Sequence, residues 1–275
     1  MPKDAYQTSS HLDLEGGTGD ILAAADLKTE LSLAYQPILD IRDNRVVSVE
    51  ALARWNSKTL GTVSPGVFIP LAERLGRMQE LTHALFEKAL EGMQKRTSRM
   101  RLSFNLSAHD LSSRENVAGI LTLLETSGLS GCDIDFEVTE TAMLFGTRQA
   151  REAVALLRAR GAGIVMDDFG AGHSSLSRLQ ELPFDKVKLD RHFMRMCNER
   201  HGREVLKAMI GMFRALETPL VVEGIETAQD LCLLNDLGAT LVQGFYIARP
   251  MQQEQLFAWL HARSASERAF MRATA

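Results

Sequence analysis

Short apolar runs recur along this chain, several at intervals of roughly 25 to 35 residues, and many close on a residue that an apolar run has no reason to close on. Arg101-Leu102-Ser103-Phe104-Asn105 and Gly163-Ile164-Val165-Met166-Asp167 show the form: a strand-like stretch finished by an amide or a carboxylate. Eight such runs predict strands over Leu33 to Asp40, Val46 to Leu52, Leu102 to Leu106, Ile134 to Val138, Gly163 to Asp167, Lys186 to Leu189, Leu220 to Glu223 and Leu241 to Gly244. Helical periodicity predicts helices over Met78 to Lys95, Asn116 to Ser127, Thr147 to Arg160, Arg203 to Leu216, Ala228 to Leu237 and Gln252 to Ala262. Strands alternating with helices predict an α/β fold with a mostly parallel sheet. Eight of them favour a closed barrel, a modified (β/α)8 TIM-like barrel whose active site forms at the C-terminal strand ends. The short link at Asp43-Asn44 has no room for a crossover helix, so it predicts a hairpin and one antiparallel strand near the N-terminus.

Nine residues at or just beyond the ends of these runs carry the candidate chemistry: Glu50, Asn105, Glu137, Asp167, Asp168, Lys188, Glu223, Glu226 and Gln243. Ionised groups buried without partners are costly, and a cation placed among them relieves that cost. Hard oxygen ligands on strand ends suit magnesium or manganese. Taken singly, each has a plainer reading. Strand alternation alone would equally turn Glu50 to solvent, and Asn105 would close a turn before the helix cap Ser107. Lys188 would form a local ion pair with Asp190. Asp167-Asp168 is more specific, because adjacent carboxylates repel unless a cation or proton lies between them, and they precede the flexible Phe169-Gly170-Ala171-Gly172.

Composition narrows the field. A chain of 275 residues, 45% hydrophobic and 24% charged, has material for one large α/β domain or at most two smaller ones. A formal charge of -4 provides no basic face for polymeric nucleic acid. Cys132, Cys197 and Cys232 lack disulfide or zinc-finger spacing, which predicts a reducing, cytoplasmic setting. No apolar run reaches the ~18 to 20 residues of a spanning helix. Residues 1–19, polar and glycine-containing, are expected to form a flexible tail or linker remnant, residues 20–264 the folded domain, and 265–275 a C-terminal tail. Asp168-Phe169-Gly170 spells a kinase magnesium motif, but the remaining kinase motifs are missing. Gly170-Ala171-Gly172 lacks the third glycine of a dinucleotide fingerprint.

The ordered motifs Tyr35-Gln36-Pro37-Ile38, Glu50-Ala51-Leu52-Ala53-Arg54-Trp55, Phe68-Ile69-Pro70, Asn105-Leu106-Ser107, Glu137-Val138-Thr139-Glu140, Asp167-Asp168-Phe169-Gly170, Lys188-Leu189-Asp190-Arg191, Glu223-Gly224-Ile225-Glu226-Thr227 and Gln243-Gly244-Phe245 resemble those of EAL-domain cyclic-di-GMP phosphodiesterases. The resemblance runs from about Asp20 to Leu260. It implies hydrolysis of cyclic di-GMP to linear pGpG with two Mg2+ or Mn2+ ions. By resemblance Glu50, Asn105, Glu137 and Asp167 hold one ion, and Asp168 and Glu223 face the second, with Asp167 as the bridge. Glu223 and Lys188 are the catalytic pair. Gln36, Leu52, Arg54 and Gln243 bind substrate, and Glu140, Asp190 and Glu226 support the site from behind. The resemblance also implies a homodimer through residues 170–182, and a sensory or regulatory domain in a longer parent chain. Ala53, Ala171, His173 and Phe245 depart from the common pattern without removing a ligand or a water-activating group. The alternative is a catalytically silent cyclic-di-GMP receptor or protein-interaction module.

Overall fold

The structure, a computed structural model, describes residues 11–96, 100–139, 148–171 and 184–274. Its strands are β1 (Leu31–Asp40), β2 (Arg45–Ser57), β3 (Gly61–Val63), β4 (Arg101–Leu106), β5 (Ile134–Thr139), β6 (Gly163–Phe169), β7 (Lys186–Leu189), β8 (Leu220–Glu223) and β9 (Leu241–Gln243). Eight of them close a barrel in the order β1, β9, β8, β7, β6, β5, β4, β2 and back to β1, with β3 added along the far end of β2. Strand β1 runs antiparallel to both its neighbours, β2 and β9. The remaining barrel neighbours, β2–β4 and then β4 through β9 in turn, pair in parallel, and β3 pairs antiparallel with β2. The expected hairpin turns through Asn44, whose positive φ of 54° suits asparagine in a tight turn.

The helices are α1 (His11–Ala24), α2 (Leu27–Glu30), α3 (Pro65–Arg74), α4 (Met78–Gln94), α5 (Ala108–Ser112), α6 (Arg114–Ser127), α7 (Arg148–Ala159), α8 (His192–Met196), α9 (Arg200–Ala215), α10 (Ala228–Leu237) and α11 (Gln253–Thr274). Helix α1 occupies part of the expected flexible tail. Its glycines argue against a helix in isolation, yet packing outweighs propensity here: Leu22 is fully buried. Arg77 completes the end of α1 by donating from Nη1 to the carbonyls of Leu22, Ala23 and Ala25, while its other nitrogens bond Glu80 on α4. Helix α3 also lay outside the expected set, because Pro70 interrupts its pattern; Pro65 at its start and buried Phe68, Leu71 and Ala72 hold it in place. Helix α11 continues beyond the expected Ala262 to Thr274.

The hydrophobic core lies outside the barrel, between strands and helices. Phe86 of α4 packs on Phe104 of β4 and Phe136 of β5, with ring centroids 4.9 and 5.5 Å away. Phe169 of β6 meets Phe213 of α9 edge-on at 5.3 Å. Inside the barrel the period of two brings up the opposite character. Only a small apolar cluster built on Ile38, Val221 and Leu241 is found at the inward positions of β1, β8 and β9 among the described residues.

The N-terminal ends of β4, β5 and β7 carry an ion-paired layer. Arg101 Nε donates to Asp135 Oδ1 at 2.9 Å and Lys186 Nζ to Asp135 Oδ2 at 2.8 Å. Gly163 beside them leaves room for the carboxylate, since a Cβ there would lie 2.2 Å from Asp135 Oδ1. Burial pushes the Asp135 carboxyl up, but Lys186 and Arg101 outweigh it and hold the group below its ordinary range. Asp135→Asn leaves the half-buried Lys186 without its charge partner and is expected to lower stability by about 2 kcal/mol, read as a smaller urea midpoint. A depressed carboxyl stabilises fully above its unfolded pKa of about 3.9 and loses that contribution as pH falls through the folded value. The gap between wild type and Asp135→Asn should therefore hold at neutral pH and close in acid; an unchanged gap would assign the loss to packing.

Candidate active site

Two residues above the inward Ser48, Ser103, Asp135, Val165, Lys186, Val221 and Leu241 stand Glu50, Asn105, Glu137, Asp167, Lys188, Glu223 and Gln243. The barrel thus carries all seven to its C-terminal mouth by strand period alone. Register places neighbours side by side, Asn105 opposite Glu137 and Glu223 opposite Gln243.

Lys188 is the centre. Its Nζ lies 3.0 Å from Glu50 Oε2, 3.0 Å from Glu137 Oε2, 3.2 Å from Asp167 Oδ1 and 2.8 Å from Glu223 Oε1, with 2% of the side chain exposed. The local pair with Asp190 does not form. The strand ends at Leu189, and Asp190 turns into α8, accepting from the backbone N–H of His192 at 2.8 Å and lying 2.7 Å from its ring Nδ1.

Glu50 is held by Asn105 Nδ2 on Oε1 at 3.1 Å and by Gln243 Nε2 on Oε2 at 2.7 Å. Gln243 also lies 3.4 Å from Gln36 Oε1, and Gln36 Nε2 donates to the carbonyl of Ala248. Both glutamines are buried at the level of Glu50. Ser103 Oγ donates to Glu137 Oε1, a contact the sequence reading missed. The signal was there: polar residues stand two positions before Glu50, Asn105, Glu137 and Lys188, on the same strand face.

Asp168 explains how two adjacent carboxylates serve one site. A regular strand would turn them to opposite faces. Here the pairing of β6 with β7 is irregular between Met166 and Phe169, and Asp168 takes a positive φ of 55°. That left-handed turn, which aspartate tolerates better than most residues, breaks the alternation. The result is two carboxylate triads sharing Asp167: Glu50, Glu137 and Asp167, and Asp167, Asp168 and Glu223, the oxygens of each within 4.8 Å of one another.

These environments separate the acids. Burial raises Glu50, but the Lys188 ammonium and the hydrogen bonds from Gln243 and Asn105 prevail and keep it below the usual carboxylate range. Glu137 is pushed well above that range by burial and by Glu50, against the pull of Lys188. Burial lifts Glu223 to about 7, and partial desolvation with repulsion from Asp167 and Asp190 lifts Asp168 to about 6. Burial lowers the lysine's affinity for its proton, yet Asp167, Glu137, Glu223 and Glu50 together hold Lys188 well above its ordinary value.

The residues fit divalent ions. Asp167 Oδ1 and Gln243 Oε1 are buried without a hydrogen-bond partner among the described residues, and hard oxygens dominate the donor set. Beside the triads opens a cavity of about 800 Å3 lined by Leu52, Arg54, Ile69, Met78 and Phe104 among others. Partial burial weakens the Arg54 guanidinium's hold on its proton, against the pull of Glu50, and its Nη1 donates to the carbonyl of Ala53 at 2.8 Å. Glu226 is exposed; its segment is secured instead by the Thr227 and Asp230 capping box of α10. Gly224, at φ 81°, lets the loop after Glu223 lie against Arg191, where a Cβ would meet Arg191 Cβ at 2.5 Å. Glu140 lies outside the described residues, as does most of the segment 170–182.

Comparison with known proteins agrees with this geometry. The profile of the EAL domain matches residues 20–250. Cyclic di-GMP phosphodiesterase NbdA of Pseudomonas aeruginosa is 35% identical over 238 residues, 85% of this chain and 30% of that protein. Cyclic di-GMP phosphodiesterase RocR of the same organism is 34% identical over 229 residues, 82% of this chain and 58% of that protein. The chain therefore spans well under two thirds of either relative. A solved PaMucR phosphodiesterase in complex with c-di-GMP superposes with a TM-score of 0.76 at 31% identity, covering 82% of this chain and 94% of that one. With its barrel, its strand-end acids and a profile match over most of its length, this chain belongs to the EAL domain family.

Proposed function

We propose that this chain hydrolyses one phosphodiester bond of cyclic di-GMP to give linear pGpG, using Mg2+ or Mn2+. The observation that carries the reading is the pair of carboxylate triads joined at Asp167, set beside a cavity large enough for a dinucleotide. The phosphodiesterase names of the relatives and the PaMucR complex support it. Glu50, Asn105, Glu137 and Asp167 would hold one ion, and Asp167, Asp168 and Glu223 the other. Bound divalent ions would neutralise the phosphodiester and acidify the attacking water. Glu223 then takes the proton from that water, and Lys188, 2.8 Å from Glu223 Oε1, fixes its direction. Arg54 grips a phosphate at the cavity wall, and the Leu52 backbone and Gln36 set the dinucleotide's place, with Gln243 holding Glu50. A homodimer through 170–182 belongs to the same reading. A silent receptor would have no use for a complete set of ligands and base, which this chain retains.

Incubation with cyclic di-GMP should yield pGpG in Mg2+ or Mn2+, little in Ca2+, whose looser coordination misplaces the water, and none in excess chelator. Chromatography of the products checks this, and undiminished hydrolysis in chelator would overturn the metal reading. Glu223→Ala should abolish turnover while cyclic di-GMP binding stays measurable, because a base acts mainly in the transition state. Arg54→Ala should instead weaken binding by roughly ten- to a hundredfold, the scale of a lost hydrogen bond to a charged group. Titration calorimetry beside turnover assays separates the two; near-normal turnover in Glu223→Ala would remove its assignment as base.

A further inference from the structure

The charges at the mouth of the barrel do not balance within the protein. Glu50, Glu137, Asp167, Asp168 and Glu223 bring five carboxylates into two linked triads, against one buried ammonium. Fully ionised, they leave four negative charges, the complement of two divalent ions. The geometry shows the same shortfall. An ammonium has three N–H donors, and four carboxylates stand within 3.2 Å of Lys188 Nζ. It donates to Glu50 and Glu137 and makes its shortest contact, 2.8 Å, with Glu223, and every oxygen of Glu50 and Glu137 already accepts a hydrogen bond from Lys188, Asn105, Gln243 or Ser103. Asp167 Oδ1 is left without one, although it is buried and 3.2 Å from Nζ. Lys188 thus reaches all three carboxylates of one triad and two of the other, competing for their oxygens with any ion that enters, and the uncommitted oxygen belongs to the carboxylate common to both.

We propose that Lys188 is the resident cation of this site: it gathers the carboxylates when no ion is bound and, as fixed positive charge among them, limits how tightly ions bind. The inference rests on the metal reading above. Its consequence is that removing Lys188 transfers the work of holding the barrel mouth to the metal. Lys188→Met, similar in length and apolar, leaves the acids facing one another. Its metal-free melting midpoint should fall well below that of wild type, and saturating Mn2+ should raise it by at least about 5 °C more than it raises wild type. The dissociation constant for Mn2+, measured by calorimetry on the whole chain, should drop about tenfold, since a repelling charge beside the ions is gone.

If Lys188→Met unfolds in chelator and refolds in Mn2+, the inference is supported in its strongest form. If it folds in neither, the double variant Lys188→Met, Glu137→Gln, which loses one charge of each sign, decides: recovery of a metal-free midpoint near wild type supports the proposal, and failure to recover overturns it. A single variant with the midpoint, metal shift and Mn2+ affinity of wild type also overturns it. Should wild type itself bind no divalent ion, the metal reading fails first, and that result is recognisable without any variant.

Discussion

Like charges in a poorly solvated space repel, and the mouth of this barrel is organised around containing that repulsion. Glu50 and Glu137 lie on β2 and β5, Asp167 on β6 and Glu223 on β8, and the only place where these strands converge is the barrel axis. Lys188 from β7 stands on that axis and faces all four. The arrangement dictates what the strands may carry below it. Ser103 spends its hydroxyl on Glu137, and Gln36 supports Gln243, which supports Glu50. Beside Ser103, in the layer beneath the acids, Asp135 is compensated by Arg101 and Lys186. The barrel interior is therefore largely polar at and just below its mouth, broken by Val165 and by the small cluster of Ile38, Val221 and Leu241, and most of the apolar area that drives folding is moved to the shell outside it.

Much of this was legible in the sequence. Glu50, Asn105, Glu137, Asp167 and Glu223 betray themselves by ending apolar runs, and a (β/α)8 barrel brings the ends of nonconsecutive runs to one place. The strands Lys186–Leu189 and Leu220–Glu223 and the helix Ala228–Leu237 fall where periodicity puts them. What sequence withheld depends on contacts across the fold. Helix α1 carries glycines and is held by Arg77, more than fifty residues downstream. Lys188 has its nearest acid in sequence at Asp190, but its partners lie up to 138 residues away. The cavity walls on α3 and α4 present ordinary apolar side chains, and only packing shows which of them face a void.

Separating the two kinds of burial also separates two kinds of damage. Loss of Phe86 or Phe213 would open the outer shell and cost several kcal/mol. Loss of a side chain at the mouth leaves that shell untouched and changes charge instead. The helices and the chemistry answer to different substitutions because they are built on opposite faces of the same strands.

The backbone at Asp168 carries that separation to a single position. Its left-handed conformation admits asparagine and glycine readily and excludes β-branched residues. Asparagine or glycine would fit the turn and remove the charge, so one substitution can silence the second triad while the barrel stays folded. On the proposed reading, descendants of such a chain could keep the cavity and lose the reaction. A hydrolase and a mute binder would then be neighbours in sequence space, separated by a residue whose shape is easy to replace and whose charge is not.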